Sequence, residues 1–266
     1  MPDLKCLERY PVSDDSVVKA FAAARKAEVP LAELPEPTPP DLSRAFALQC
    51  AVSRELGWTQ AGWKIGCTSE RAQKALNASG PFPGTMFSNR VYRSGDFFPT
   101  NTANKRVVEP EVAFTMARDL PPRGQAYSLD EVMAAAGSVH VAIEIVNPRT
   151  PNGFADPVPW FIVDGGLNEG IVLGEARKLL SREQFASLKG AVTWNGEKRV
   201  GGVGANALGG SDIALAWLAN HLNEHGTGLK QGDIISTGVI TEFFSAGLGD
   251  TAEAIFEHLG TVSVRF

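Results

Sequence analysis

The sequence predicts an α+β fold in which a helical N-terminal part precedes a strand-rich remainder. Three observations carry this prediction. Two stretches of the first 57 residues are rich in helix formers, with apolar residues at helical spacing. From residue 58 onward, short segments of strand composition alternate with Gly, Pro and Asn turns. Two further helical stretches, at about 128–136 and 212–225, interrupt those strands.

The N-terminal part contains two predicted helices joined by a proline-rich arm. The helices occupy residues 15–28 and about 42–56, and Asp41 is placed to cap the second one. Five prolines within residues 30–40 predict an extended linker or arm between them. We therefore predict a helical region at 1–57 and a separate strand-rich domain at 58–266.

Composition excludes several classes of protein. The chain has 266 residues, a net charge of −5 and no basic stretch, which argues against a nucleic-acid partner. Its three cysteines are widely spaced without a CxxC pair, which argues against a disulfide framework or a zinc site. The N-terminus lacks the pattern of a signal peptide, and no apolar run approaches the ~18 residues that span a bilayer. We expect a cytoplasmic protein without a membrane partner.

The stretch VVEPEVAF, residues 107–114, reads as a strand that carries two carboxylates on one face. Glu109 and Glu111 are two residues apart and therefore project to the same side, ~6.6 Å apart. Pro110 points to the other side and cannot donate a hydrogen bond, which predicts a sheet edge or a bulge. A third carboxylate, Glu144, lies in the second strand-like stretch VHVAIEIVNPR.

Three carboxylates brought together would raise one another's pKa unless a cation lies among them. An all-oxygen site of this kind suits Mg²⁺ or Mn²⁺. The alternative is that all three are solvent-facing glutamates of one-sided strands, and the spacing alone does not decide between the two.

Three other stretches hold candidate site residues. Lys64, in GWKIGCTS, would act as an acid or base if it were partly desolvated, or it extends from a strand into solvent. Asp164 precedes a glycine pair and Asn168 in VDGGLN, where glycine permits close approach to a ligand or a tight turn. The stretch STG ends a predicted strand, and its backbone N–H groups could hold a carboxylate. Its residues are Ser236, Thr237 and Gly238.

Signatures of other catalytic classes are missing from the sequence. It contains no GxSxG, HExxH, P-loop or GxGxxG motif. His221 and His225 are four residues apart on a predicted helix, but no carboxylate motif accompanies them, so we expect them at the surface.

In series, the motifs GWKIGCTS, GTMFSNRVY, EPEVAF, AIEIVNPR, VDGGLNEGIVLG, ALAWLANHL, KQGDIISTG and LGTVSVRF resemble the fumarylacetoacetate hydrolase superfamily. Within it, the chain is similar to the branch of 2-keto-4-pentenoate hydratases and 4-oxalocrotonate decarboxylases. The resemblance covers about residues 40–266. It implies a mixed β-roll around a divalent metal, after a helical N-terminal part, and a homo-oligomer.

The resemblance also implies roles for individual residues. The metal, Mg²⁺ or Mn²⁺, would be held by Glu109, Glu111 and Glu144. Lys64 and Asp164 match the superfamily's catalytic lysine and aspartate. Residues expected to bind the substrate are Ser236, Thr237, Gly238 and Asn168, together with Trp160 and Phe161, which would line its tail or else belong to the core.

Two positions depart from the branch. Asn89 stands where hydratases often have an acidic residue that helps the lysine in proton transfer, so it is a candidate catalytic position with a changed group. The turn often written Gly-His-Pro before the helix at 212–225 is here Gly210-Ser211-Asp212, which is explained by a changed helix cap. Both departures point to an unusual substrate or reaction.

The expected function is hydration of a 2-hydroxy-2,4-dienoate to a 4-hydroxy-2-oxo acid, as in the catabolism of aromatic compounds. Decarboxylation or C–C hydrolysis of a related 2-oxo acid is the alternative reaction, because the same centre serves all three. A catalytically silent homologue that binds only a ligand or a partner is the non-enzymatic alternative. The intact set of three glutamates argues against it, and Asn89 argues for it.

Overall fold

The computed structural model describes residues 15–36, 38–39, 41–99 and 106–266. The α-helices of this part are α1 (Asp15–Ala27), α2 (Leu42–Leu56), α3 (Glu70–Leu76), α4 (Leu129–Ala135), α5 (Val158–Val163), α6 (Arg182–Ser187) and α7 (Ser211–Glu224). The strands are β1 (Gln60–Gly66), β2 (Phe82–Phe87), β3 (Val91–Arg93), β4 (Arg106–Met116), β5 (Ala136–Val146), β6 (Asn168–Leu173), β7 (Lys189–Trp194), β8 (Glu197–Lys198), β9 (Gly202–Val203), β10 (Ile234–Val239), β11 (Phe244–Ala246), β12 (Thr251–Phe256) and β13 (Gly260–Arg265).

The larger sheet contains eight strands in the order β2-β1-β10-β4-β5-β6-β3, and β11 pairs with β4 beside β10. Strands β1 and β10 are parallel, and β4 runs antiparallel to both β10 and β5. The C-terminal ends of β1, β5 and β10 therefore lie at the same edge as the N-terminal end of β4. We call this the site edge.

This sheet curls into a roll. Met86 on β2 and Ile171 on β6 belong to one small apolar cluster with Ala113 and Ala142. The two strands are five steps apart in the sheet, which is about 24 Å when it is flat. Only a closed curvature brings their side chains together, and this confirms the expected mixed β-roll.

A second sheet, in the order β13-β12-β7-β8 with β9 beside β7, covers the outer face of the roll. Its strands β12 and β13 contact β5. Buried side chains of both sheets and of the helices form one continuous apolar core, which includes Val112, Ile143, Ala254 and Val262.

The two N-terminal helices form as predicted. Asp41 caps α2 by accepting a hydrogen bond from the backbone N of Arg44 at 2.7 Å. Gly57 ends this helix with a φ of 67°. The side chain of Gln49 in α2 donates to the carbonyls of Pro83 (3.1 Å) and Ile162 (2.7 Å). Helices α1 and α2 thus share the core with the strand-rich part, and a boundary at residue 57 stays a prediction.

Three short helices, α3, α5 and α6, were not expected from the sequence. Each has six or seven residues, at most about two turns, so helical periodicity gives only a weak signal. Helix α5 is also almost completely apolar and mostly buried, so it has no amphipathic pattern.

Pro110 lies in an interior strand, at a break in the pairing. Its carbonyl accepts a hydrogen bond from the backbone N of Ile240 at 3.0 Å. The N and C=O of a strand residue point toward the same neighbour, so the proline nitrogen, which has no hydrogen to donate, also faces the segment that follows β10. There β10 shifts register between Ser236 and Val239, and β11 begins to pair with β4 at Val108. The predicted irregularity is present, but it lies in the neighbouring strand and not at a sheet edge.

Among the described residues, no helix is both long and apolar enough to cross a bilayer.

His221 is part of an aromatic cluster between α2 and α7. The sequence predicted a surface position for it, and this prediction is wrong because neighbouring rings cover part of the side chain. Its ring stacks on those of Trp217 (5.0 Å) and His225 (4.3 Å) and meets Phe46 edge-on at 5.5 Å. Burial lowers the pKa of His221 to about 4, and the proximity of His225 contributes to the decrease.

We expect this histidine to lower the free energy of unfolding as the pH decreases from about 6.5 to about 4. The unfolded chain binds the proton near pH 6.5, whereas the folded chain resists it until about pH 4, so stability decreases over this window by up to about 1.4 kcal/mol per pH unit. Urea unfolding of wild type and His221→Phe between pH 7.5 and 4 checks this. The slope should persist in the exposed-site control His258→Asn, and an unchanged slope in His221→Phe would contradict the assignment.

Candidate metal centre

Three glutamates meet at the site edge of the roll. Glu109 on β4 and Glu144 on β5 are directly paired residues of the antiparallel ladder. Glu111 follows two residues later on the same face. One carboxylate oxygen from each lies within 4.8 Å of the others. Glu111 and Glu144 are buried and Glu109 is half-buried, so these are not solvent-facing residues of one-sided strands.

Glu109 and Glu111 hold protons more tightly than ordinary glutamates. Burial raises the pKa of Glu109 to about 7, against the attraction of Lys64 and together with repulsion from Glu144. Burial and then repulsion from Glu144 and Glu109 raise the pKa of Glu111 well above its usual range. The cluster is therefore poised to accept positive charge.

Lys64 reaches this cluster from β1. Its Nζ lies 3.2 Å from Oε2 of Glu144, and its side chain is 4% exposed. Burial lowers the pKa of Lys64, but the attraction of Glu144, Glu109 and Glu111 outweighs this and raises it above the ordinary value. Lys64 is thus a desolvated lysine, which is one of the two alternatives that the sequence left open, and the surrounding carboxylates keep it charged.

The turn at 236–238 holds Glu111. The Ser236 hydroxyl and the Gly238 N–H donate to Oε2 of Glu111 at 2.5 and 2.8 Å. The Thr237 hydroxyl donates to the Val112 carbonyl at 2.8 Å. Hence these residues contact β4 and its glutamate, and their predicted contact with a substrate carboxylate stays a prediction.

Asn168 holds Glu144, and two oxygens of the centre lack donors. The Asn168 Nδ2 donates to Oε1 of Glu144 at 2.9 Å. Oδ1 of Asn168 and Oε1 of Glu111 are buried without a hydrogen-bond partner among the described residues. Unpaired buried oxygens beside clustered carboxylates fit a hard divalent cation with its bound water, so the residues present fit the expected metal.

Asp164 is held by two arginines. Its carboxylate accepts from the backbone N (2.9 Å) and Nη1 (3.1 Å) of Arg149, and it lies 3.6 Å from Nη1 of Arg25. Burial raises the pKa of Asp164, and both arginines oppose that increase. The structure therefore brings Asp164 to the arginines, and its catalytic role stays a prediction without a contact to Lys64 among the described residues.

Asn89 lies away from Lys64. Across the β1–β2 ladder, Lys64 pairs with Gly84, whereas Gln60 pairs with Phe87. Asn89 follows Phe87 in an exposed turn, beyond the end of β2 that lies about 13 Å along the ladder from Lys64. The structure does not bring these two residues together within this chain.

Trp160 and Phe161 are fully buried in α5. The Trp160 ring stacks on Phe21 of α1 at 5.6 Å. The structure thus places both in the core, which was the alternative to lining the substrate's tail. A surface cleft of about 540 Å³ lies instead between 75–79 and 154–159, the segments that follow β1 and β5, with none of the three glutamates in its lining.

Sequence reasoning missed a buried network of charged residues behind the centre. Arg149 forms an ion pair with Glu169 through Nη2, and Arg90 lies 3.7 Å from the other oxygen of Glu169. Arg25 joins it from α1. A sequence signal existed for Arg25, since it follows Phe21 at i+4 on the apolar face of its helix.

Arg106 is a buried cation at the start of β4. Its side chain is among the largest fully buried ones, and its guanidinium has no hydrogen-bond partner in the described part of the chain. Burial lowers the pKa of Arg106, although Glu169 attracts it.

We expect Arg106→Met to increase the free energy of unfolding by about 1–3 kcal/mol, because it keeps the stem and removes an unpaired buried charge. Urea unfolding measures the change, with the exposed Arg265→Met expected to stay within about 0.5 kcal/mol of wild type. A destabilised Arg106→Met would contradict this and indicate an anionic partner.

Protons and a divalent cation should compete for the three glutamates. In the metal-free protein the pKa of Glu109 and of Glu111 is higher in the folded state than in the unfolded state. The protonated glutamates therefore contribute stability that is fully present below about pH 4.5, and the contribution of Glu109 is lost as the pH rises through 7. We therefore expect the increase in Tm on adding Mn²⁺ to grow from pH 5.5 to 8. Glu109→Gln should reduce it at every pH, and an equal increase throughout would contradict the competition.

Comparison with curated proteins identifies relatives over the whole chain. No family model matches. The 2-keto-4-pentenoate hydratase of Paraburkholderia phymatum is 30% identical over 267 residues, covering 96% of this chain and 99% of that protein. The 2-oxo-hept-4-ene-1,7-dioate hydratase of Escherichia coli is 30% identical over 217 residues, covering 79% and 80%.

Solved structures share the fold. The 4-oxalocrotonate decarboxylase of Pseudomonas putida G7, complexed with magnesium and adipate, superposes with a TM-score of 0.84 at 24% identity, covering 94% of this chain and 96% of that one. The fumarylpyruvate hydrolase of Pseudomonas aeruginosa, in complex with Mn²⁺ and pyruvate, gives 0.56 at 14% identity, covering 78% and 89%.

The Paraburkholderia relative matches nearly the full length of this chain, and the solved structures share its fold. The chain therefore belongs to the family of 2-keto-4-pentenoate hydratases, which are hydro-lyases, and its fold resembles that of a solved fumarylacetoacetate hydrolase family protein.

Proposed function

We propose that this chain is a metal-dependent hydratase that adds water to a 2-hydroxy-2,4-dienoate and forms a 4-hydroxy-2-oxo acid in the catabolism of aromatic compounds. The observation that carries the proposal is a buried lysine in contact with a cluster of three glutamates at the site edge. The names of two curated relatives support this reaction over others: a 2-keto-4-pentenoate hydratase that matches 96% of this chain and a 2-hydroxyhexa-2,4-dienoate hydratase that matches 77% of it.

Glu109, Glu111 and Glu144 would hold Mg²⁺ or Mn²⁺. When bound, the ion supplies a Lewis acid for the carboxylate and 2-oxygen of the substrate. Ser236, Gly238 and Asn168 hold two of these glutamates from behind, which fixes the directions of their remaining oxygens.

Lys64 would be the group that moves a proton. It carries the proton in the field of the glutamates, and a cation among them would weaken this field and ease its release. Its burial keeps bulk water from competing for that proton. A positioned acid or base of this kind contributes about 10²–10⁴-fold to a rate.

Decarboxylation or C–C cleavage of a related 2-oxo acid is the second candidate. The likeness in fold to the 4-oxalocrotonate decarboxylase favours it. The position of Asn89 also favours it, because the turn after β2 then contributes no second acid next to Lys64. A silent homologue is disfavoured because three clustered carboxylates, two of them buried, are costly without a cation to bind.

The test is turnover of 2-hydroxypenta-2,4-dienoate, followed by its ultraviolet absorbance with Mg²⁺ or Mn²⁺ and by the mass of the product. Loss of absorbance with gain of one water, abolished by a chelator and by Glu144→Gln, is expected. Loss of carbon dioxide from a dicarboxylic 2-oxo acid, without hydration of the dienoate, would establish the decarboxylase instead.

We also propose a homo-oligomer and a small-molecule 2-oxo acid or dienoate as the binding partner. Light scattering on the purified chain measures the mass, and a monomeric mass at working concentration would contradict the first of these.

A further inference from the structure

A short turn joins the two reactive parts of the centre. It consists of residues 164–168 (Asp-Gly-Gly-Leu-Asn) and we call it the DGGLN turn. Gly165, Gly166 and Leu167 all have positive φ, at 64°, 65° and 64°. This conformation is costly for leucine and is kept only where surrounding contacts determine it.

The middle of the DGGLN turn packs against Lys64. A Cβ atom on Gly166 would lie 2.9 Å from Cδ of Lys64 and 2.9 Å from the Cα of Gly84. Gly84 is the residue paired with Lys64 across the ladder, and a Cβ there would lie 2.4 Å from the Gly165 carbonyl oxygen. The missing side chain of Gly166 therefore leaves room for the lysine stem and for β2, and that of Gly84 leaves room for the turn itself.

The end of the turn contacts the partner of Lys64. Asn168 donates to Oε1 of Glu144 at 2.9 Å, and the other oxygen of Glu144 lies 3.2 Å from the lysine Nζ. The turn thus packs against Lys64 through Gly166 and holds Glu144 by a hydrogen bond from Asn168.

Arg25 closes the turn from the other side. Its Nη1 donates to the Asp164 carbonyl at 2.7 Å and its Nη2 to the Asn168 carbonyl at 2.5 Å. One guanidinium thereby bonds the first and last residues of the turn. Arg149 binds the Asp164 carboxylate and lies 3.3 Å from the same Asn168 carbonyl. Arg25 is 3% exposed and belongs to α1, 139 residues before Asp164.

We propose that Arg25 and Asp164 are positioning residues: by fixing the DGGLN turn they set the position of Lys64 through Gly166 and that of Glu144 through Asn168. Asp164 then acts through the turn and does not contact the substrate, and helix α1 becomes part of the active-site support. The proposal rests on the proposed function for its rate measurements, but not for its measurements of metal affinity.

The two routes can be separated by substitution. Gly166→Ala displaces Lys64 and should lower kcat at least 10-fold while the Kd for Mn²⁺ stays within about twofold. Asn168→Ala frees Glu144 and should weaken Mn²⁺ binding about 10–100-fold, the usual effect of removing a residue that holds a metal ligand. Arg25→Met should produce both changes, and Asp164→Asn should change both in the same direction.

The matched control is Arg90→Gln. Arg90 belongs to the same buried network, where it pairs with Glu28 and Glu169, but it makes no hydrogen bond to the turn among the described contacts. It should reduce stability without changing kcat or the Kd for Mn²⁺. Arg25→Lys, which can bond one carbonyl of the turn, should recover part of both losses, whereas a loss of packing alone would not be recovered.

The experiment measures Mn²⁺ binding by calorimetry and kcat on 2-hydroxypenta-2,4-dienoate for the full chain and each folded variant. The split between Gly166→Ala and Asn168→Ala, with both effects in Arg25→Met, is the expected result. If Arg25→Met does not fold, Arg25→Lys and Asp164→Asn provide the same comparison. Wild-type Kd and kcat in the folded Arg25 and Asp164 variants would overturn the proposal. A wild type that binds Mn²⁺ without dienoate turnover overturns only the proposed reaction, because the Kd values still test the turn.

Discussion

Lys64→Met is expected to lower turnover by about 10²–10⁴-fold and to reduce the free energy of unfolding of the metal-free protein by about 3–5 kcal/mol. Methionine keeps the packing of the stem and removes the ammonium. The group lost is the cation 3.2 Å from Glu144, within a cluster of three carboxylates. Without it, the glutamates repel one another at close range in a site shielded from water.

Stability and turnover should respond differently to metal in this variant. A divalent cation compensates the glutamates, so saturating Mn²⁺ should restore most of the stability of Lys64→Met. It cannot transfer the proton, so turnover should remain low. The loss of stability should also be larger at pH 8 than at pH 6, because the pKa of Glu109, about 7, lets it lose its charge at the lower pH.

Urea unfolding with and without Mn²⁺, and turnover at saturating metal, check both parts. Lys74→Met is the control, since Lys74 forms an exposed ion pair with Glu70 and should have little effect on either quantity. Turnover of Lys64→Met within tenfold of wild type would remove the lysine from the mechanism.

Local pattern was enough to place two of the three glutamates on one face of a strand but not to show how the cluster of three assembles. Spacing placed Glu109 and Glu111 on one face because strand periodicity depends on neighbours in sequence. The pairing of Glu109 with Glu144 is a register between distant strands, and no local signal encodes it. Lys64 and Glu144 lie three strands apart, about 14 Å in a flat sheet. Only the curvature of the roll, a property of the whole sheet, makes them an ion pair.

The residues whose surroundings the sequence left open depend on the same long-range geometry. Trp160 and Phe161 read as an apolar run, which suits a substrate pocket and a core equally, and the packing of α5 on α1 decided for the core. Asn89 was assigned by resemblance, but the β1–β2 register separates it from Lys64. The glycine pair after Asp164 was read as a turn or a close approach to a ligand; what it approaches is the lysine stem.

Arg149→Met is expected to reduce the free energy of unfolding by about 3–5 kcal/mol, the largest effect we predict for a residue away from the three glutamates. Arg149 is 2% exposed and forms ion pairs with both Asp164 and Glu169, which are equally buried. The substitution leaves two buried carboxylates with fewer compensating charges. Arg25 and Arg90 remain nearby, which keeps the loss within this range.

The source of that loss can be tested by removing one of the stranded charges. Adding Glu169→Gln to Arg149→Met should recover part of the stability, although Glu169→Gln alone should be destabilising, and this coupling distinguishes unpaired charge from lost packing. Arg177→Met is the matched control, because Arg177 forms an exposed pair with Glu175 at 2.9 Å that is worth less than about 1 kcal/mol. If urea unfolding shows Arg149→Met to be no more costly than Arg177→Met, the buried network contributes nothing specific. The DGGLN turn would then have to be held by Arg25 alone, and a wild-type affinity for Mn²⁺ in Arg149→Met would agree with that outcome.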